Sequence, residues 1–137
     1  MNKQHFAYIV LCGMILLTVW GMASILYGRI NQKTPALVNR FCRQMTFYWG
    51  LVNTVLGLSA VVKVLQTFGA YQANSSVQHG ARQLFRFNAV LDTVYILIGL
   101  ITAYAGRGAS DRRRGYGLAI IVQGIFLFIL DLTLATI

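Results

Sequence analysis

FNAVLDTVYILIGLITAYAG, Phe87 to Gly106, decides how this chain is read. The stretch is apolar enough to cross a bilayer, yet Asp92 sits inside it, one turn after Asn88. A membrane span needs about 20 mostly apolar residues, and three other runs meet that need. FAYIVLCGMILLTVWGMASILYG, Phe6 to Gly28, carries no charge. QMTFYWGLVNTVLGLSAVV, Gln44 to Val62, is followed by Lys63 and VLQT, and GYGLAIIVQGIFLFILDLTLATI runs from Gly115 to Ile137. The expected spans are therefore 6–28, 44–67, 84–106 and 115–137. The expected fold is all-α: a polytopic membrane protein forming one antiparallel four-helix transmembrane bundle over residues 1–137.

Composition agrees with lipid as the solvent. Of 137 residues, 57% are hydrophobic and 11% charged, where soluble domains carry roughly 25% charged residues. The net charge is +9, and the acids are Asp92, Asp111 and Asp131. Such a basic balance also suits nucleic acid, but here the basic residues cluster beside apolar runs. Anionic lipid headgroups are the expected partner, and nucleic acid is not. The first run is longer than the h-region of a signal peptide, about 7–15 residues, and no A-x-A-like site closes it, so it reads as a retained helix. Cys12 and Cys42 fall toward opposite sides of the membrane, whereas a disulfide needs Cα atoms within about 7 Å. No metal-type spacing of cysteine or histidine occurs. His5 and His79 lie at or beyond the outer boundary, so neither a metal nor another cofactor is expected.

Charge also orients the spans. The first connection carries Arg29, Lys33, Arg40 and Arg43, and the third carries Arg107, Arg112, Arg113 and Arg114. The opposite side has Lys3, Arg82 and Arg86. The positive-inside rule then puts both termini outside and the Arg-rich connections in the cytoplasm of a bacterial cell, its inner membrane being the expected location. Arg40, Arg43, Arg107, Arg112, Arg113 and Arg114 are expected to meet lipid headgroups, and GRGASDRRRGYG reads as a solvated turn. Thr34-Pro35 suits the start of a helix feeding span two, and Ser75 with Gln78 suits a capping box ahead of span three. Whether the stretches 35–45 and 76–84 lie flat or extend the spans is left open by the pattern. RQMTFYWGLVNTV, Arg43 to Val55, also aligns without gaps on RQLFRFNAVLDTV, Arg82 to Val94, and a true repeat in consecutive spans would be inverted.

At 1.5 Å per residue, the polar residues within the spans sort into two layers. The outer layer holds Lys63, Asn88, Asp92 and Asp131, roughly 6–12 Å from the boundary. Trp20, Asn53 and Gln123 form an inner layer about 10 Å from the other side, with Tyr95 between. Asn88, Asp92, Tyr95 and Gly99 share one helical face; Trp49, Asn53, Gly57 and Ala60 share another, as do Gly13, Trp20, Ser24 and Tyr27. Gly124, Phe128 and Asp131 align on span four, with Gln123 turned off to the side. Small and polar faces of this kind are expected to point inward, away from lipid.

Asp at a span centre costs about 2.5–3.5 kcal/mol, against about 0.3–0.6 gained for each Leu, Ile, Phe or Val. Span three has nine of those residues, so Asp92 nearly cancels them. It needs a partner or a proton. Lys63 is the partner on offer, at similar depth on the adjacent span, with Asn88 or Tyr95 as a bridge and Asp131 as a competitor. Asp92 reads equally as half of a structural pair or as a site for protons or cations. Asp131 and Lys63 can also reach the interface, and Asn53 and Gln123 suit interhelical hydrogen bonds. Trp49, Tyr48 and Tyr27 suit the interfacial belt, and Trp20 packing. No nucleophile, base and orienting group share one side, so no catalytic residue and no enzymatic activity are expected.

The pattern N-x-x-L-D-x-x-Y-I-x-x-G in span three (Asn88, Leu91, Asp92, Tyr95, Ile96, Gly99) is followed by G-Y-G-x-x-I-I-V-Q-G-x-F-L-x-x-x-D in span four, ending on Asp131. Together they resemble a family of small four-span bacterial membrane proteins classed as a domain of unknown function. The resemblance lies mainly in the C-terminal half. It implies a four-helix bundle with Asn88, Asp92, Tyr95, Gln123 and Asp131 as family-type positions, and it implies no activity. Small multidrug transporters also have four spans but rely on an acid in the first, which this chain lacks. The leading expectation is a structural or accessory membrane protein, as a homo-oligomer or in a larger complex. A proton- or cation-coupled transporter or channel using Asp92 and Asp131 is the alternative, and an anionic-lipid-binding protein the second.

Overall fold

The computed structural model describes residues 3–30 and 36–137. Five helices follow one another: α1 (Lys3–Arg29), α2 (Leu37–Gln66), α3 (Phe68–Ala73), α4 (Ser75–Ala105) and α5 (Asp111–Thr136). No strand occurs among the described residues. All but α3 are long and apolar enough to cross a membrane. α2 and α4, of 30 and 31 residues, measure about 45 Å at the helical rise and so reach past a hydrocarbon core of about 30 Å. Residues 37–45 and 76–84 thus continue the span helices without a break.

Local chemistry sets the helix starts. Asn74, rather than Ser75, caps α4: its side chain accepts from the Ser76 amide at 2.9 Å and from the Ser76 hydroxyl at 2.7 Å. Gln78 does not close a capping box on Ser75; its amide nitrogen donates to the Tyr71 carbonyl at 2.6 Å. Ser110 caps α5 through the Arg113 amide. Arg112, Arg113 and Arg114, expected in a turn, instead form the first turn of α5. The turn itself is shorter and passes through Gly108 at φ 73°, a conformation that glycine adopts without steric cost. Thr34 and Pro35, expected to begin span two, lie outside the described residues.

The helices order themselves as α1, α2, α5, α4, each packed on the next. Thr18 faces Gly57, Gly21 faces Gly50, and Gly28 faces Phe47, so α1 and α2 are antiparallel. Gly117 faces Gly99 and Ala103 while Gly124 faces Ile96, so α4 and α5 are antiparallel too. α5 runs parallel to α2, with Gly115 against Val38 and Phe41 and Gln123 against Asn53. A Cβ on Gly21, Gly50, Gly99 or Gly117 would meet the facing helix's backbone. Such close approach matters in lipid, where van der Waals contact between helices replaces the hydrophobic drive.

An apolar cluster closes the end that holds the α1 N-terminus and the α5 C-terminus. Phe6, Val10, Met14 and Leu17 of α1 pack with Val64, Phe85, Leu130 and Leu134 from the other long helices. The short α3 covers this cluster with Phe68 and Tyr71, the Phe68 ring meeting Tyr8 edge-on at 5.0 Å. Outside the cluster, large apolar side chains face outward: Ile101 is 68% and Val90 64% exposed. Apolar surface on this scale suits contact with lipid rather than water.

Candidate functional site

Gln123 of α5 is the hub of the inner polar layer. Its side-chain carbonyl accepts from Trp20 Nε1 at 2.7 Å and from Asn53 Nδ2 at 3.0 Å. Its amide donates to Ser24 Oγ at 3.2 Å. Gln123 and Asn53 are each 1% exposed, and the indole of Trp20 stacks on Phe126 with ring centroids 4.2 Å apart. Three helices therefore meet on one amide. The sequence pattern placed Trp20, Asn53 and Gln123 in one layer but turned Gln123 off the inward face of α5; it is buried because α1 and α2 pack on that side of α5. Ser24 stood on the Trp20 stripe but without a partner. Beside the hub, a crevice of about 280 Å³ opens between α1 and α5, walled by Tyr27, Cys42 and Val122.

The outer layer is built differently. Asp92 and Asp131, 4% and 8% exposed, are neighbours across the α4–α5 seam. The expected partner, Lys63, is exposed and takes no part. Among the described residues, no basic group forms an ion pair with either carboxyl. The reason is topological: α5, not α2, is packed along α4, so α2 presents its lysine elsewhere. Tyr95 bridges nothing here either; it is 41% exposed and its ring lies edge-on to Trp49 at 5.5 Å. Asn88 stays half-buried one turn before Asp92. Asp92 Oδ2 is buried without a hydrogen-bond partner.

Two carboxyl groups can hydrogen-bond to each other only when one carries a proton, since two carboxylates in contact repel. An arrangement of this kind can hold a proton, or a small cation between its oxygens. No group of three or more His, Cys, Asp or Glu that could hold a metal occurs among the described residues.

The arginines lie at the opposite end of the bundle. Arg40, Arg107, Arg112, Arg113 and Arg114 are exposed, and Arg112 lies over the Tyr116 ring at 5.3 Å. Arg43 is half-buried, donating to the Ile30 carbonyl at 2.7 Å and lying over Tyr27 at 5.1 Å. Arg82, at the other end, was counted in the sequence only among the charges of that side and as the start of an aligned segment. It donates to the Ile137 carbonyl at 2.9 Å and covers the Phe6 ring at 4.9 Å, joining α4 to α5 and α1.

The protein is all-α among the described residues, with four helices long and apolar enough to cross a membrane, the character of a multi-pass membrane protein. The chain belongs to a family of unknown function, DUF6992, whose model matches residues 16–132. That match runs from α1 through α5, well beyond the two spans whose motifs carry the resemblance. Among curated proteins and among solved structures, nothing matches the chain.

Proposed function

We propose that the protein handles protons or small monovalent cations in a membrane, as a transporter or channel component, through Asp92 and Asp131. The observation carrying this reading is a pair of neighbouring buried carboxyl groups that make no ion pair with a basic group among the described residues, with Asp92 Oδ2 left without a hydrogen-bond partner. Intramembrane acids are expensive, and their ordinary justification is an ion or proton path. The excess of arginine at the α1–α2 and α4–α5 connections supports a cytoplasmic placement of that end. Both termini then lie outside, in a bacterial inner membrane, and the carboxyl pair sits nearer the outer face.

A structural or accessory role, alone as an oligomer or in a larger complex, is the second reading. The Gln123 hub favours it, because four polar groups from three helices satisfy one another there. No enzymatic step is assigned under either reading. The deciding test is flux into proteoliposomes under an imposed potential, with wild type and Asp92→Asn at equal folded amounts. The transport reading expects wild-type flux that the variant lacks. Absence of wild-type flux of protons, Na⁺ or K⁺ would leave the structural role as the better account.

A further inference from the structure

The two ends of the bundle differ in charge, and the basic end contains a built feature that the carboxyl pair does not use. A groove of about 430 Å³ lies where the last turn of α1 passes the first turns of α2, lined by Arg29, Arg40, Arg43, Gln44, Phe47 and Tyr48. At about 30 Å³ per water, it has room for a group far larger than a single ion. Three guanidinium groups reach it, and no acid does among the described lining residues.

Two of those guanidiniums are already held in place. Arg43 is fixed by the Ile30 carbonyl and the Tyr27 ring, and Arg29 lies over Phe47 at 5.9 Å. A ligand entering the groove therefore need not order them, which removes part of the entropic cost of binding. Guanidinium groups suit phosphate oxygens because their donors form a planar fork.

The surface leaving the groove is apolar. Tyr48, Leu51 and Val55 follow one another at spacings of three and four, so they form one stripe down α2. They are 52%, 43% and 63% exposed. A phosphate seated among the arginines would have its attached chains lying along that stripe. We propose that this groove binds the phosphate of an anionic phospholipid, with an acyl chain on Tyr48, Leu51 and Val55. The continuity of charged groove and apolar stripe favours lipid over free phosphate. The site also goes beyond general attraction of basic loops to the membrane, because it depends on Arg29 and Arg40 and not on Arg112, Arg113 and Arg114.

Native mass spectrometry of the full chain, released from a nonionic detergent after adding phosphatidylglycerol or phosphatidylcholine, tests this directly. Phosphatidylglycerol adducts should dominate, and Arg29→Gln or Arg40→Gln should each weaken them about fivefold, the value of one basic group near an anionic lipid. The triple change Arg112→Gln, Arg113→Gln and Arg114→Gln should leave them intact. Equal weakening by the triple change would mean diffuse charge and overturn the site, as would equal adducts with both lipids. Millimolar inorganic phosphate should fail to displace the lipid; displacement would reassign the groove to free phosphate and overturn the lipid proposal. Arg40 is exposed, so Arg40→Gln keeps the comparison in force even where Arg29→Gln folds poorly.

Discussion

Asn53 on α2 and Asp92 on α4 occupy the same place in the two aligned segments that begin at Arg43 and Arg82. Each turns toward α5, where Asn53 meets Gln123 and Asp92 meets Asp131. Gln123 and Asp131 are eight residues apart, about 12 Å along the helix and roughly 80° around it, so one helix serves both neighbours. The outcomes differ because the functional groups differ. An amide carries donors and acceptors together, so a buried cluster of amides, an indole and a hydroxyl can satisfy itself. Ionised carboxyl groups only accept, so two of them in contact must import a proton or a cation. The first arrangement satisfies its own polar groups, and the second sets two groups of the same kind side by side.

The largest expected effect separates the layers by function. Asp92→Asn should reduce proteoliposome flux to the level of protein-free vesicles, while Gln123→Leu, compared at equal folded amount, should leave it intact. Equal loss in both variants would break the distinction between the layers. Stability should then move in the opposite sense. Gln123→Leu strips the acceptor from Trp20 and Asn53 and the donor from Ser24, at about 1–3 kcal/mol for each buried group left unpaired in water-soluble proteins and nearer 0.6 in membranes. A loss of about 2–4 kcal/mol in detergent unfolding is expected, and no measurable loss would show that the hub is not glue.

Asp131→Asn sharpens the outer half of the comparison. The new amide can donate to Asp92 without any imported proton, so stability should hold or rise by about 1 kcal/mol. A fall beyond about 2 kcal/mol would mean that the acid pair itself fastens α4 to α5. The smallest effect belongs to Lys63→Met. The side chain is exposed, and surface changes of this sort usually stay within about 0.5 kcal/mol. A large loss there, relieved when Asp92 is also replaced, would restore the Lys63 pairing that the sequence suggested.

Much of this was legible in the chain. Apolar run length announced the four long helices, and helical spacing put Asn53 and Trp20 on inward faces at one depth with Gln123. It turned Gln123 away from the inward face of its own span, yet the structure buries it. Spacing could not say which faces meet. Lys63 and Asp92 share a layer and come from consecutive long helices, which made them natural partners on paper. Their separation depends on α5 inserting beside α4, and that in turn depends on Gly99 and Gly117 letting the two backbones approach. The cap of α4 was missed by one residue because Ser75 and Asn74 both suit the role, and only backbone conformation chooses between them.

The sequence alone, then, determined the apolar character of the chain and the number of long helices, because those follow from composition and run length, and it named the polar residues within the spans without deciding which of them are buried. The tertiary structure alone decided which of those residues meet, because helix neighbours are chosen by where small side chains permit contact. Whether a buried polar group is satisfied or left wanting is a property of the pair. No single span contains that information.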